Sequence, residues 1–157
     1  MKGNKTFLIK GIIMLLIIGI ITAAYFISTA SELKLLHSKS DENAPVHLTI
    51  VAFDKAEGKN RIKYALVNNS PTGIITGEGY QLYRKENGSW VEKNDMEPVF
   101  IAIAYMVNPQ DRKEFNAVLD WMTKDIKAGE YKLSKGYTVN DGSSANGLAE
   151  AEFTLGR

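Results

Sequence analysis

The sequence predicts an all-β protein: a sandwich of seven or eight short antiparallel strands, preceded by one apolar N-terminal helix. Three observations predict this class. After Pro45, apolar residues recur at every second position in short runs that turn residues separate, which is the pattern of half-buried strands. Asn87-Gly88 lies between two of these runs and favours the tight turn of a hairpin. Residues 11–30 carry no charge and are dominated by Ile, Leu and Met, so they predict a membrane-crossing helix.

The N-terminal segment predicts where the rest of the chain resides. Residues 1–10 hold three lysines and no acidic residue, and lysines before an apolar span favour a cytoplasmic N-terminus. At about 1.5 Å per residue, a helix over Gly11–Ala30 spans the ~30 Å hydrocarbon core of a bilayer. We therefore expect a single-pass membrane protein with an extracytoplasmic C-terminal domain.

Two fates of this segment remain open. Ser28-Thr29-Ala30 offers the small residues of a signal-peptidase site, and cleavage before Ser31 would yield a secreted domain. Against cleavage, the apolar run exceeds the usual core of a signal peptide, and Tyr25-Phe26 suits the outer membrane interface. These features favour a retained anchor. Residues 31–45 then predict a polar juxtamembrane linker, which Pro45 ends.

Residues 46–157 predict the sandwich domain, and its first strands alternate clearly. Val46–Phe53 is β-branched and apolar, and turn-forming residues 54–58 follow it. Arg61–Asn68 has one apolar face, formed by Ile62, Tyr64 and Leu66. The three glycines within Gly73–Gly79 indicate a bent approach rather than a regular strand.

The middle of the domain predicts a hairpin and two further strands. Tyr80–Glu86 and Ser89–Lys93 flank the Asn-Gly turn, which needs positive φ at both central residues. Val99–Val107 predicts a central strand or one edge of a binding surface, with one face formed by Val99, Ile101, Ile103, Tyr105 and Val107 and the other carrying Phe100 and Met106. Lys113–Trp121 predicts a strand that points Phe115, Ala117, Leu119 and Trp121 inward. A short helix over residues 109–122 is the alternative, because Phe115, Val118, Leu119 and Met122 also fit helical spacing.

The last two strands predict a specific corner. Tyr131 opens a strand two residues after Gly129, and Trp121 ends the preceding run. In immunoglobulin-like sandwiches, a tyrosine at this place bonds back to upstream backbone. The final strand alternates Ala149, Ala151, Phe153 and Leu155 with polar residues.

Composition and motifs argue against most enzymatic and nucleic-acid functions. The chain has no cysteine, which excludes disulfides, thiol nucleophiles and cysteine zinc sites, and its net charge of +1 argues against nucleic-acid binding. The two histidines, His37 and His47, predict no shared metal or catalytic role. Asp120, Asp125 and Glu130 are interpreted as turn residues rather than a catalytic pair. Asn140-Asp141-Gly142 lacks the acidic series of a calcium loop. No cofactor is predicted.

One set of motifs resembles a known family. It comprises Asn87-Gly88-Ser89-Trp90, Pro109, Leu119-Asp120-Trp121 and the run from Ile126 to Lys135. These resemble the bacterial immunoglobulin-like domains of small Gram-positive envelope proteins, over Val46 to Leu155. The chain departs from that pattern at Lys132, where the family usually has Arg, and it lacks the lipobox cysteine of some relatives. The resemblance implies a sandwich in the cell envelope, and it implies no catalytic residues.

Four side chains are candidate partner contacts: Trp90, Phe100, Tyr83 and Met106. Together with Tyr137 they are aromatic or Met residues that could leave the core face, and a shared exposed apolar patch marks a binding site. The alternative is that they cover the edge of the core. The residues expected to be structural are Gly129, Tyr131, Trp121, Asn87 and Gly88.

The sequence therefore predicts a non-enzymatic, membrane-anchored, extracytoplasmic binding module. Its partners would be the membrane, through the Gly11–Ala30 helix, and an envelope protein or glycan, through loops or a sheet edge. The alternative function is an extracytoplasmic protease inhibitor built on a small β-sandwich.

Overall fold

The computed structural model describes residues 32–143 and 145–157. Ten strands and one short 3₁₀ helix, Leu119–Trp121, make up the secondary structure of these residues. The strands are β1 (Lys34–Ser40), β2 (Val46–Ala56), β3 (Lys59–Asn68), β4 (Ile74–Thr76), β5 (Gln81–Glu86), β6 (Ser89–Lys93), β7 (Tyr105–Val107), β8 (Asp111–Val118), β9 (Gly129–Val139) and β10 (Asn146–Gly156). The predicted all-β class is confirmed, with more strands than the seven or eight expected.

The strands form two antiparallel sheets. The smaller sheet has the order β2-β3-β8, and the larger has the order β1-β10-β9-β4-β7, with β5 paired to both β9 and β6. Both β4 and β5 pair with β9, since Ile75 lies opposite Thr138 and Leu82 opposite Leu133. These two strands therefore follow one another along the same edge of β9. Residues 77–80, part of the glycine-rich stretch, form the break between them.

The core lies between the two sheets because alternate positions on each are apolar. The smaller sheet contributes fully buried Leu48, Ile62, Tyr64 and Leu66, and the larger contributes Leu82, Tyr131, Leu133, Phe153 and Leu155. Burying one such side chain stabilises the fold by about 1.5–3 kcal/mol. The alternation predicted for β3, β9 and β10 thus corresponds to the faces that pack together.

The two-residue turns follow from backbone conformation. Asn87 and Gly88 have φ of +50° and +83°, as the predicted hairpin between β5 and β6 requires. A second such turn, at Glu57-Gly58, joins β2 to β3 with φ of +52° and +76°. The predicted turn over residues 54–58 was therefore too long. Asp54 belongs to β2 and pairs across the strands with Arg61 through two 2.9 Å hydrogen bonds.

The linker predicted over residues 31–45 is replaced in part by β1. This strand pairs with β10 from Lys34 opposite Gly156 to Ser40 opposite Ala151. The register shifts around Leu36, which is exposed, whereas Leu35 packs against the core. That shift interrupts the alternation by which a strand is recognised in sequence. Backbone pairing to the open edge of β10 stabilises β1 despite its polar composition.

The central strand predicted over Val99–Val107 is wrong for most of its length. Only Tyr105–Val107 forms a strand, because β4 is three residues long and offers no further partners. Val99, Ile101 and Ile103 are 95%, 65% and 41% exposed rather than buried.

The strand predicted to end at Trp121 ends at Val118 instead. The 3₁₀ helix turns the chain there, so that Phe115, Ala117 and Leu119 are buried while Trp121 is 46% exposed. Asp120 accepts hydrogen bonds from the backbone N–H and the side-chain amide of Asn60, which holds this turn against the start of β3. The alternative of a helix over residues 109–122 is wrong, since this helical turn spans three residues.

The predicted membrane helix, Gly11–Ala30, lies outside the described residues. Within residues 32–143 and 145–157, no helix has the length and apolar character needed to span a bilayer.

Candidate functional site

Gly129 and Tyr131 form the corner that the sequence predicts at the start of β9. The Tyr131 hydroxyl donates to the carbonyl of Lys127 at 2.8 Å and accepts from the N–H of the same residue at 3.1 Å. The Tyr131 ring is 1% exposed and stacks on Phe153, with ring centroids 5.5 Å apart. Gly129 has φ of +154°, and a Cβ there would meet the Arg84 guanidinium at 3.4 Å. The corner therefore fixes the loop before β9 to the core.

Two of the predicted contact residues, Tyr83 and Trp90, lie together on the outer face of the larger sheet. Lys132 Nζ lies 4.9 Å from the centroid of the Tyr83 ring and 5.7 Å from that of Trp90. Lys85 Nζ lies 5.6 Å from the Trp90 ring. Both lysines are also paired with carboxylates, Lys132 with Glu150 at 2.9 Å and Lys85 with Glu130 at 2.7 Å. The two rings are thus half-buried beneath a charged, mixed-sign surface.

The other two predicted contact residues lie elsewhere. Phe100 faces the core edge, where its ring meets that of Tyr80 edge-on at 5.0 Å. Met106 is exposed on β7, with its sulfur near Asn140 and near Gly73. The structure therefore does not gather the four residues into one patch. That any of them contacts a partner stays a prediction.

Among the described residues, the most exposed apolar surface lies in the stretch predicted as a central strand or one edge of a binding surface. We call residues 97–104 the edge segment. It precedes β7 at the border of the larger sheet, and it carries the exposed aliphatic side chains Val99, Ile101 and Ile103. Within residues 98–104, the backbone makes one hydrogen bond to another backbone group, from the Ile103 N–H to the Ile101 carbonyl at 2.9 Å. The edge segment thus combines exposed aliphatic groups with unpaired backbone, and its continuous apolar run from Pro98 to Ala104 is the sequence signal that marks it.

Lys135 is an unusual core residue that the sequence does not single out as functional. Its side chain is 0% exposed, and Nζ donates to the carbonyls of Gly77 and Gly79, the latter at 3.0 Å. The ammonium also lies 4.5 Å from the centroid of the Phe115 ring. Burial lowers the pKa of Lys135 to about 8, and the charge of nearby Glu78 opposes this shift. Lys135 therefore fastens the break between β4 and β5 to the core.

The acidic residues considered for catalysis are engaged separately. Asp120 binds Asn60, Asp125 pairs with Lys127, and Glu130 pairs with Lys85. His47 contacts the carbonyl of Ala44 at 3.2 Å. In the part of the chain that the structure describes, no three His, Cys, Asp or Glu side chains are grouped so as to hold a metal ion.

Several solved structures align with this chain at low similarity. The alignment with a structural genomics target named SoR45 covers 80% of this chain and 85% of the SoR45 chain, at 10% identity and a TM-score of 0.40. A protein from Archaeoglobus fulgidus aligns with 76% of this chain and 96% of its own, at 17% identity and a TM-score of 0.31. The C-terminal domain of wzt covers 81% of this chain and 77% of its own, at 13% identity and a TM-score of 0.31. TM-scores this low carry no information on function.

The family comparison is more informative. No curated protein sequence matches the chain significantly. The family model described as a bacterial Ig-like domain matches residues 42–154, which is all of the sandwich except β1 and the end of β10. Together with the two antiparallel sheets and the Tyr131 corner, this match shows that the chain belongs to the bacterial Ig-like domain family.

Proposed function

We propose that this protein is a non-enzymatic, membrane-anchored module that binds another envelope protein outside the cytoplasm. Its bacterial Ig-like domain indicates a binding role. The uncharged run over residues 11–30, preceded by three lysines, supports anchoring and an extracytoplasmic domain. The exposed edge segment is the observation that carries the proposal.

The edge segment favours a protein partner over a glycan. Aliphatic side chains such as Val99 and Ile101 gain about 25 cal/mol for each Å² of surface removed from water, but they offer a sugar no hydrogen bonds. Unpaired backbone groups at a sheet border can pair with an extended segment of a second protein. Such a partner would cover the aliphatic groups and complete the hydrogen bonds together. The charged face around Trp90 offers no comparable apolar area.

A site-specific cross-linker tests the partner. A photoreactive amino acid in place of exposed Ala102, beside Ile101 and Ile103, should capture one envelope protein in intact cells. Ile101→Asp should reduce that capture at least tenfold, because a carboxylate would be buried at the contact. Val51→Asp is the matched control: Val51 is 41% exposed on β2, in the other sheet, and its replacement should leave capture unchanged. Equal capture by the two variants would rule out the edge segment as the binding surface.

The location requires a separate experiment. Protease added to intact cells should degrade the domain, whereas full protection would contradict an extracytoplasmic position. Incubating the protein with secreted proteases examines the alternative function. Inhibition at a one-to-one ratio would replace the binding proposal with that of a protease inhibitor.

A further inference from the structure

A polar cleft of about 210 Å³ lies at the end of the sandwich where β9 begins. We call it the charged cleft. Its lining consists of Arg84, Lys93, Asp95, Thr123, Asp125 and Tyr131. The two cations come from the hairpin β5–β6, and the two carboxylates come from the residues after β6 and from the loop before β9. The lining thus has no net charge, and different chain segments supply the two signs.

The charged groups of the cleft have unused hydrogen-bonding capacity. A guanidinium has five N–H donors, yet within the described residues Arg84 makes one hydrogen bond, of 3.3 Å, to the carbonyl of Ala128. The Lys93 ammonium, 2.6 Å from Glu86, has further N–H donors available. On the acidic side, Asp95 accepts from the hydroxyl of buried Thr123 through Oδ2 at 2.6 Å, and its Oδ1 makes no hydrogen bond within the described residues.

The cationic side is also held in place before any ligand arrives. The Arg84 guanidinium lies over the Tyr131 ring, 5.9 Å from its centroid, and packs beside Gly129, where its Nε is 3.4 Å from the position that a Cβ would take. A positioned guanidinium loses less conformational entropy on binding than a free one, which favours affinity for a carboxylate.

We infer that the charged cleft binds a small zwitterion, namely a free α-amino acid. Its carboxylate would contact Arg84 and Lys93, and its ammonium would contact Asp95, with Asp125, which already pairs with Lys127, as a second negative group beside it. A simple anion would be attracted by the two basic groups but repelled by the two carboxylates, and the reverse holds for a simple cation, so a ligand that carries both charges complements the lining better than either ion. The volume is below the ~300–1,000 Å³ of typical ligand pockets, which limits the ligand to about the size of one amino acid.

Calorimetric titration of the full chain in detergent tests this inference. Glycine and L-alanine are the probes, and acetate and methylammonium each represent half of the ligand. Both amino acids should bind at least tenfold more tightly than either half. Arg84→Met should weaken alanine binding at least tenfold, and Arg84→Lys should restore part of it. Asp95→Asn should remove the preference for alanine over acetate, while Lys124→Met, outside the lining, should change nothing.

Three results would overturn the inference. These are no saturable alanine binding up to about 100 mM, acetate binding as tight as alanine binding, or unchanged alanine binding by an Arg84→Met variant whose circular dichroism shows a folded domain. None of these results bears on the edge segment, so this inference and the proposed function can fail independently.

Discussion

Tyr131 links the core to the loop before β9, because its buried ring stacks on Phe153 while its hydroxyl bonds both backbone groups of Lys127. Tyr131→Phe keeps the ring and removes both bonds. We expect the free energy of unfolding to fall by about 1–3 kcal/mol, as measured by urea unfolding of the domain from residue 32. Tyr83→Phe is the control, since the Tyr83 hydroxyl makes no hydrogen bond within the described residues, and its change should stay below about 0.5 kcal/mol. Equal losses in the two variants would contradict this role of the hydroxyl.

Single residues differ in how far sequence can predict their role. The spacing of Gly129 and Tyr131 suffices to predict the corner, because the bond partner lies four residues upstream. Tyr131, Leu133 and Lys135 occupy alternate, buried positions of β9. The sequence pattern therefore shows that a lysine lies at a core position, but it does not show what binds its ammonium. Its partners, the carbonyls of Gly77 and Gly79, are more than fifty residues away in sequence. Local spacing cannot reveal such a contact.

At the scale of elements, the hairpin β5–β6 depends on the backbone conformation of its turn. Gly88 has φ of +83°, and no atom lies within 4 Å of the position that a Cβ would take there, so Gly88→Ala would cause conformational strain and no clash. We expect a loss of about 1–2 kcal/mol in the free energy of unfolding. Gly136→Ala is the matched control, because Gly136 also has open space but no positive φ. It should be neutral or stabilise by up to about 1 kcal/mol, and a similar loss in both variants would count against the turn argument.

Strand prediction failed where pairing, rather than composition, decides the outcome. Val99–Val107 is apolar throughout, but β4 provides partners only for Tyr105, Met106 and Val107. Conversely, Lys34–Ser40 has little alternation, yet the open edge of β10 pairs with it. Alternation shows which side chains could be buried together. It does not show whether a neighbouring strand is present.

At the scale of the molecule, the candidate surfaces were only partly predictable. Tyr83 and Trp90 are neighbours because the Asn-Gly turn sets the register of β5 and β6, and the sequence predicts that turn. Their cover by Lys132 depends on the pairing of β5 with β9, about fifty residues later in the chain. The charged cleft likewise requires the hairpin and the loop before β9 to meet. Surfaces formed by distant segments thus emerge only from the complete fold.

The stability of the whole domain should depend on pH through Lys135. Burial lowers the pKa of Lys135 from 10.5 to about 8, so between these values the folded state binds fewer protons than the unfolded state. The free energy of unfolding therefore rises with pH in this window, by about 1–2 kcal/mol between pH 7 and pH 9.5. Burial raises the pKa of Tyr64 and of Tyr80, which keeps both phenols neutral over this range.

Urea unfolding at a series of pH values, followed by tryptophan fluorescence, measures this dependence. The stability of Lys135→Met at neutral pH depends on whether the unpaired carbonyls of Gly77 and Gly79 cost more than burial of the charge. The prediction concerns only the slope of the free energy of unfolding against pH. That slope should be lost in Lys135→Met and retained in Lys124→Met, because Lys124 is exposed and its ammonium stays in water when the domain folds. If all three proteins gained stability in parallel, another group would have to carry the pH dependence. A flat profile for the unmodified domain would mean that the two carbonyls and the Phe115 ring stabilise the ammonium enough to offset its burial.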